Sequence, residues 1–189
     1  MRTIIILVLI ISLQSLTKAD NIAEFEIEDI SVGESLLDHL TFKEIKKAEK
    51  YGSVYPDSNY IAISISKISG PKYNYIEFVY NQKDKKYIIE AITGIVEYPD
   101  KYEECKKDMI SVSEEFKIIF KGSEIYEDER PHAFEPSSTV YQIDFYPKSG
   151  GFARVSCTDW TKEMFEENRW VDNLKISLGS NKFLNFLSD

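Results

Sequence analysis

The sequence predicts an α+β domain: an antiparallel sheet of five or six strands, one long helix packed on a face, and two short N-terminal helices. Three observations predict it. Apolar and polar residues alternate in 61–66, 76–80 and 141–145, the period of a half-buried strand. Between residues 102 and 119 apolar residues recur every three or four, the period of an amphipathic helix. The breaks between successive strands have hairpin length, which favours antiparallel neighbours with the helix on one face.

Taken in order, Phe25 and Ile27 alternate with Glu24, Glu26 and Glu28, giving a short strand or an ordered arm. Ser31 stands three residues before Glu34, and Thr41 three before Glu44, two capping-box spacings. Leu36, Leu37 and Leu40 follow the first box, Ile45 and Ala48 the second, so short helices are expected over 32–40 and 42–50. Gly52, Pro56, Asp57 and Asn59 make a turn region. Ile61, Ile63 and Ile65 then alternate with Ala62, Ser64 and Ser66. Ser69-Gly70-Pro71 breaks that strand, and Ile76, Phe78 and Tyr80 form the next. A polar hairpin loop over 81–86 leads into a third strand over 87–97, with Gly94 a candidate bulge.

Pro99 ends this meander. Tyr102, Cys105, Met109, Val112, Phe116 and Ile119 then line one face of the long helix, which Lys121-Gly122 closes. Such a stripe is core rather than a cofactor box. Residues 124–138 read as a long polar loop. Tyr141, Ile143 and Phe145, then Ala153, Val155 and Cys157, alternate as two strands of a hairpin around the turn at 147–151. Thr161 is placed to cap a short acidic helix through Asn168. Leu174, Ile176 and Leu178 form a last strand, and Ser180 caps a final turn carrying Phe183, Leu184 and Leu187.

The first residues give a location. Arg2 is followed by an aliphatic run over 4–11 and a polar stretch ending Thr17-Lys18-Ala19. This is the layout of a secretory signal with cleavage between Ala19 and Asp20, and the run is short for a bilayer core of about 30 Å. The alternative is an uncleaved membrane anchor. Cleavage leaves residues 20–189, the span of one ordinary domain with room for a real core. Without Arg2 and Lys18 the 23 basic side chains become 21, against 32 acidic ones, a net charge of −11. Such a surface repels nucleic acid and anionic headgroups. No nucleic-acid partner is expected, and no membrane once the signal is removed. The helix-turn-helix outline of 32–50 is therefore read as packing, not as a DNA reader. Periplasm or secretion is the expected location.

Two cysteines remain, Cys105 and Cys157. An even count in an exported chain points to a disulfide. Cys105 falls on the apolar face of the long helix and Cys157 on the apolar face of its strand, so the sulfurs meet if that helix covers that sheet face. The chain-entropy model values the bridge at about 4 kcal/mol. Two buried free thiols are the alternative.

Motifs for familiar chemistry are absent: no GxSxG, HExxH, phosphate loop or dinucleotide fingerprint occurs. No metal or cofactor is expected. His39 and His132 lie in different segments, and His39 reads as a boundary residue near a helix end. Glu127, Asp128, Glu129, Arg130 and His132 with Glu135 form the densest polar cluster. It can be read as a cation or acid/base site, but it lacks calcium-loop spacing and a solvated loop explains it more simply. Asp57-Ser58-Asn59 reads as an ordinary turn. Trp160 and Trp170 could stack a sugar ring, though sealing an edge is the simpler role.

The segment Phe25-Glu-Ile-Glu-Asp-Ile-Ser-Val-Gly-Glu-Ser-Leu-Leu-Asp-His-Leu resembles the start of small exported proteins, without assigned function, from streamlined marine alphaproteobacteria. In these a Ser-Val-Gly-Glu-Ser-Leu-Leu-Asp segment follows the signal, then a meander and a Cys-bearing helix, here that of Cys105. The resemblance implies export and supports the disulfide. It brings no activity and no catalytic residues.

The expectation is thus an exported binding or envelope-accessory module acting on an unknown protein or small-molecule ligand. A small hydrolase with an unfamiliar site is the alternative, and a membrane-tethered structural protein follows if the signal stays uncut. A cleft joining His132, Asp128 and Trp160 would favour the enzyme; an open sheet edge would favour a protein partner.

Overall fold

The computed structural model describes residues 21–188, apart from 57, 67 and 69. The signal segment and its Ala19–Asp20 junction lie outside the described residues. No described helix is long and apolar enough to cross a membrane.

The expected α+β class and antiparallel sheet are present, but the main sheet has eight strands rather than five or six. Its strands are β3 (Ser53–Val54), β4 (Tyr60–Ile65), β5 (Tyr75–Asn81), β6 (Ile89–Glu97), β7 (Glu124–Pro131), β8 (Thr139–Tyr146), β9 (Phe152–Asp159) and β10 (Asn173–Gly179). Their order across the sheet is β3-β4-β5-β6-β10-β9-β8-β7, with every neighbour antiparallel. Two meanders therefore meet at a central seam, β6 against β10.

The N-terminal segment departs from expectation. Residues 26–31 form a small hairpin, β1 (Glu26–Ile27) with β2 (Ile30–Ser31). Its two turn residues, Glu28 and Asp29, both have positive φ, 51° and 62°, as a type I′ turn requires. Ser31 lies in β2 and caps nothing, so the helix expected over 32–40 does not form. A single 3-10 turn, Leu36–Asp38, stands there instead, capped by Ser35. The cause is tertiary. Gly33 N–H donates to Ile89 O at 2.8 Å, Ile89 N–H to Glu34 O at 2.9 Å and Leu36 N–H to Tyr87 O at 2.9 Å. These bonds tie 33–36 to the start of β6 and its approach, against the helical pattern of the leucines. The second helix forms as α1 (Phe42–Ala48), with the Thr41–Glu44 capping box in place and a 3-10 turn, Glu49–Tyr51, after it.

The long helix, α2 (Tyr102–Ile119), buries Cys105, Met109, Val112 and Phe116. It packs on the sheet face formed by Ile143, Phe145, Val155, Cys157 and Leu174. The N-terminal elements cover the same face over the other meander, where Leu36 and Ile45 join Ile61, Ile63, Phe78 and Tyr80 in one continuous core. Each such side chain contributes about 1.5–3 kcal/mol when fully buried. On the opposite face, α4 (Asn181–Ser188) seats Phe183 and Phe186 against Tyr55 and Tyr60. Ser180 caps it, accepting from Phe183 N–H at 3.0 Å, and also donates to buried Glu90 at 2.6 Å. A short α3 (Lys162–Asn168), capped by Thr161, links β9 to β10.

Gly94 is not a bulge. It pairs in register with Ile76 and Ile176. The irregularity sits four residues earlier, where the pairing shifts between Val79 and Tyr80 and leaves Glu90 as the extra residue of β6.

Cys105 and Cys157 form a disulfide, their Cα atoms 6.0 Å apart and 52 residues apart in sequence. It ties α2 to β9. Both cysteines are fully buried. A disulfide is the mark of an oxidising compartment outside the cytoplasm.

Candidate functional site

The polar stretch expected as a loop, 124–138, is in large part a strand. Residues 124–131 pair with β8 over eight positions and end the sheet. All eight residues of β7 are exposed. With neither face buried, no alternation marks the strand in the sequence, which is why periodicity misses it. Only Ile125 and Tyr126 carry strong strand preference.

Backbone parity along β7 follows from one bond. His132 N–H, just past the strand, donates to Ser138 O at 2.8 Å, so it points toward β8. In an antiparallel strand a residue's N–H and C=O point the same way and alternate with the next residue. Residues 124, 126, 128 and 130 therefore face β8, and Ile125, Glu127, Glu129 and Pro131 face outward. Pro131, which has no N–H, occupies an outward position, as an edge proline must. Among the described residues no strand lies beyond this edge. Ile125, Glu127 and Glu129 thus present three N–H and three C=O groups to solvent.

The side chains of the same outward residues lie on the α2 side of the sheet. Register places Glu129 opposite Tyr141 and Glu127 opposite Ile143. Between this overhang and α2 is an open cleft of about 530 Å³, lined by Lys106, Ile110, Glu127, Asp128, Glu129 and Tyr141. The Tyr141 hydroxyl donates to the Glu127 carboxylate. That bond, then burial, pushes the phenol up to about 12, so it stays a donor at neutral pH. Lys106 Nζ rests over the Tyr141 ring at 5.1 Å and the Tyr102 ring at 5.5 Å. Ile110, on the outer side of α2, is half exposed.

The remaining cluster residues are not brought together. Asp128 pairs with Arg130, whose Nη2 donates to Gln142 Oε1 at 3.1 Å. Gln142 Nε2 donates to Asp144 Oδ2 at 2.8 Å, and Arg154 forks onto the same carboxylate. This ladder crosses the far face of the sheet, and its charged groups are partnered within the protein. Sequence reasoning missed it, and the alternation of polar residues opposite the core positions of β8 and β9 was its only signal. His132 lies beyond the end of β7 with its ring 4.4 Å from that of Trp160, which in turn is 4.6 Å from Trp170. These rings pack on one another at 53–56° rather than leaving a slot between them. Burial lowers the His132 pKa, helped by Lys175. Glu135 accepts from Ser137 N–H at 3.2 Å. His39 pairs with Glu34 at 2.7 Å.

The cleft that would join His132, Asp128 and Trp160 therefore does not form: His132 meets Trp160, and Asp128 lies four residues back along the edge. Burial raises the pKa of Asp159 and of Asp172, and Asp172 accepts from Trp160 N–H at 2.9 Å, holding the turn after β9. Among the described residues no group of three His, Cys, Asp or Glu is placed to hold a metal ion. Asp57 lies outside the described residues.

Compared with known proteins, the chain matches no family profile, no curated protein and no solved structure at a significant level.

Proposed function

We propose that the mature chain is an exported, non-catalytic binding module, periplasmic or secreted, that takes a protein partner by strand addition along the outer edge of β7. The observation that carries this reading is the edge itself: eight exposed residues whose outward backbone positions, at 125, 127 and 129, no described strand pairs. An added strand bonds to such positions at about 0.5–1.5 kcal/mol net per hydrogen bond. The opposite edge, β3, is only two residues long and offers no comparable template. The disulfide and the signal-like start support export, as does the resemblance to small exported proteins.

A photo-crosslinking residue placed at Tyr126 of the exported chain tests the reading, with the same residue at Ile118 as control. Ile118 is 78% exposed on α2 and does not line the cleft. A discrete adduct is expected from Tyr126 alone. It is expected to vanish on Glu127→Pro, which removes one outward N–H while leaving the bonds to β8 intact. Equal adducts from both sites, or an adduct that survives the proline, would overturn the reading.

A further inference from the structure

We infer that the partner's docking segment is a cationic extended peptide, with basic side chains opposite Glu127 and Glu129 and an apolar one opposite Ile125. The inference rests on the edge-docking reading and adds the chemistry of the occupant. In an antiparallel addition, residues of the new strand that oppose outward positions of β7 exchange both backbone bonds with them. Directly opposed side chains also share a face. The residues opposite Glu127 and Glu129 therefore project over the cleft beside α2, where these two carboxylates stand against the one cation of Lys106. Lys106 is already seated on two rings. The residue opposite Ile125 meets a half-exposed aliphatic side chain, and the one opposite Tyr126 meets an aromatic ring on the other face. Asp128 is matched by Arg130, so the position opposite it is left without a charge requirement.

The same charges exclude the most available competitor, a second copy of the chain. Antiparallel pairing of two β7 strands centred anywhere on 127–128 sets acidic residues directly opposite acidic residues, which is destabilising. Charged side chains guard free edges in many sheets. Here the guards concentrated on the cleft side are of one sign, in a chain of net charge −9. They turn away acidic strands and admit basic ones. Read from N- to C-terminus the segment is basic, unrestricted, basic, aromatic or β-branched, apolar.

The test is fluorescence anisotropy on the disulfide-intact mature chain. Three labelled peptides differ only at two positions: Lys-Thr-Lys-Tyr-Ile, Gln-Thr-Gln-Tyr-Ile and Glu-Thr-Glu-Tyr-Ile, each with the same neutral flanks. The lysine peptide is expected to bind at least 10-fold more tightly than the glutamine one, and the glutamate peptide not at all. Glu127→Gln with Glu129→Gln is expected to erase the difference between the first two. Glu127→Pro is expected to abolish binding of the lysine and glutamine peptides alike. Melting temperature confirms that the exposed-site variants remain folded. Equal binding of the lysine and glutamine peptides overturns the inference while leaving edge docking intact. Lysine-peptide binding that survives the proline also overturns it, because the attraction is then a surface charge effect without strand addition. If none of the three binds, the inference falls, and the crosslink from Tyr126 decides edge docking separately.

Discussion

Gly94 shows how one missing side chain fixes a strand position. An added Cβ would lie 2.3 Å from Cε1 of Tyr73, closer than any real contact. The aromatic ring occupies the space over the glycine, and burial pushes its phenol up to about 12. Gly94→Ala is therefore expected to cost about 1–3 kcal/mol, in the range of overpacked cores. Tyr73→Ala removes the clash, so the double variant is expected to be more stable than the sum of the two single effects predicts. Urea unfolding of the four proteins measures the coupling; strict additivity would mean that Tyr73 swings away freely. His132 provides a pH-dependent counterpart. Burial and Lys175 hold its pKa below the usual 6.5, Glu135 opposes them, and Arg130 adds to the lowering. A depressed histidine is neutral in the fold, so the stability it permits is complete above about pH 6.5 and is lost as pH falls through the folded-state value. The raised carboxyls of Asp159 and Asp172 act with the opposite sign near pH 4. The comparison with His132→Gln cancels them. The stability advantage of the native chain over this variant is expected to shrink between pH 7.5 and pH 5; a constant difference would show that His132 titrates normally.

Among the elements, β7 stands by what it lacks: a buried face, a sequence period and, among the described residues, a neighbour on one side. In the edge-docking reading its acidic side chains select which strands add. Glu127→Val with Glu129→Val leaves the backbone edge open and removes the like-charge opposition. That variant is expected to self-associate in light scattering at concentrations where the native chain is monodisperse. If it does not, the charges are not what protects the edge. The contrast with the other elements explains what the sequence revealed. α2, β4, β5, β8, β9 and β10 each bury one face, so each carries a period of 3.6 or 2. The Thr41–Glu44 box is a local bond pattern, and α1 follows it. The Ser31–Glu34 box has the same spacing, yet residues 33–36 join β6 through bonds to residues more than 50 positions away. Capping chemistry is local and could not register that competition. The far-face ladder from Asp128 to Arg154 was hidden for a related reason: its members are polar residues spread over three strands, joined only once register is known.

Across the whole molecule, the decisive join is the seam between β6 and β10, which brings residues 91–97 against 173–179. Each meander is built from neighbours in sequence, whereas the seam closes a long stretch of chain, and no local pattern encodes it. α2 lies within that stretch, bonded to β9 near its start through Cys105 and packed on Phe145 of β8 near its end through Phe116. The disulfide fixes α2 to β9. Its inward-facing cysteines were legible from helix and strand phase; the strand order that places them together was not. Closing a loop of 52 residues restricts the unfolded chain by about 4 kcal/mol in the chain-entropy model. For a chain of this size, 1 kcal/mol moves the melting temperature by about 2–4 °C. Reduction is therefore expected to lower it by about 10 °C. Cys105→Ala with Cys157→Ala is expected to melt near the reduced protein, a little lower for the small cavities left beside Met109 and Val155. Because both sulfurs are fully buried, reductant should act slowly on the native fold and rapidly once urea opens it. Unchanged melting under reduction with both thiols verified as alkylatable would show that the unfolded chain gains nothing from release of the bridge, and that packing alone holds α2 on β9.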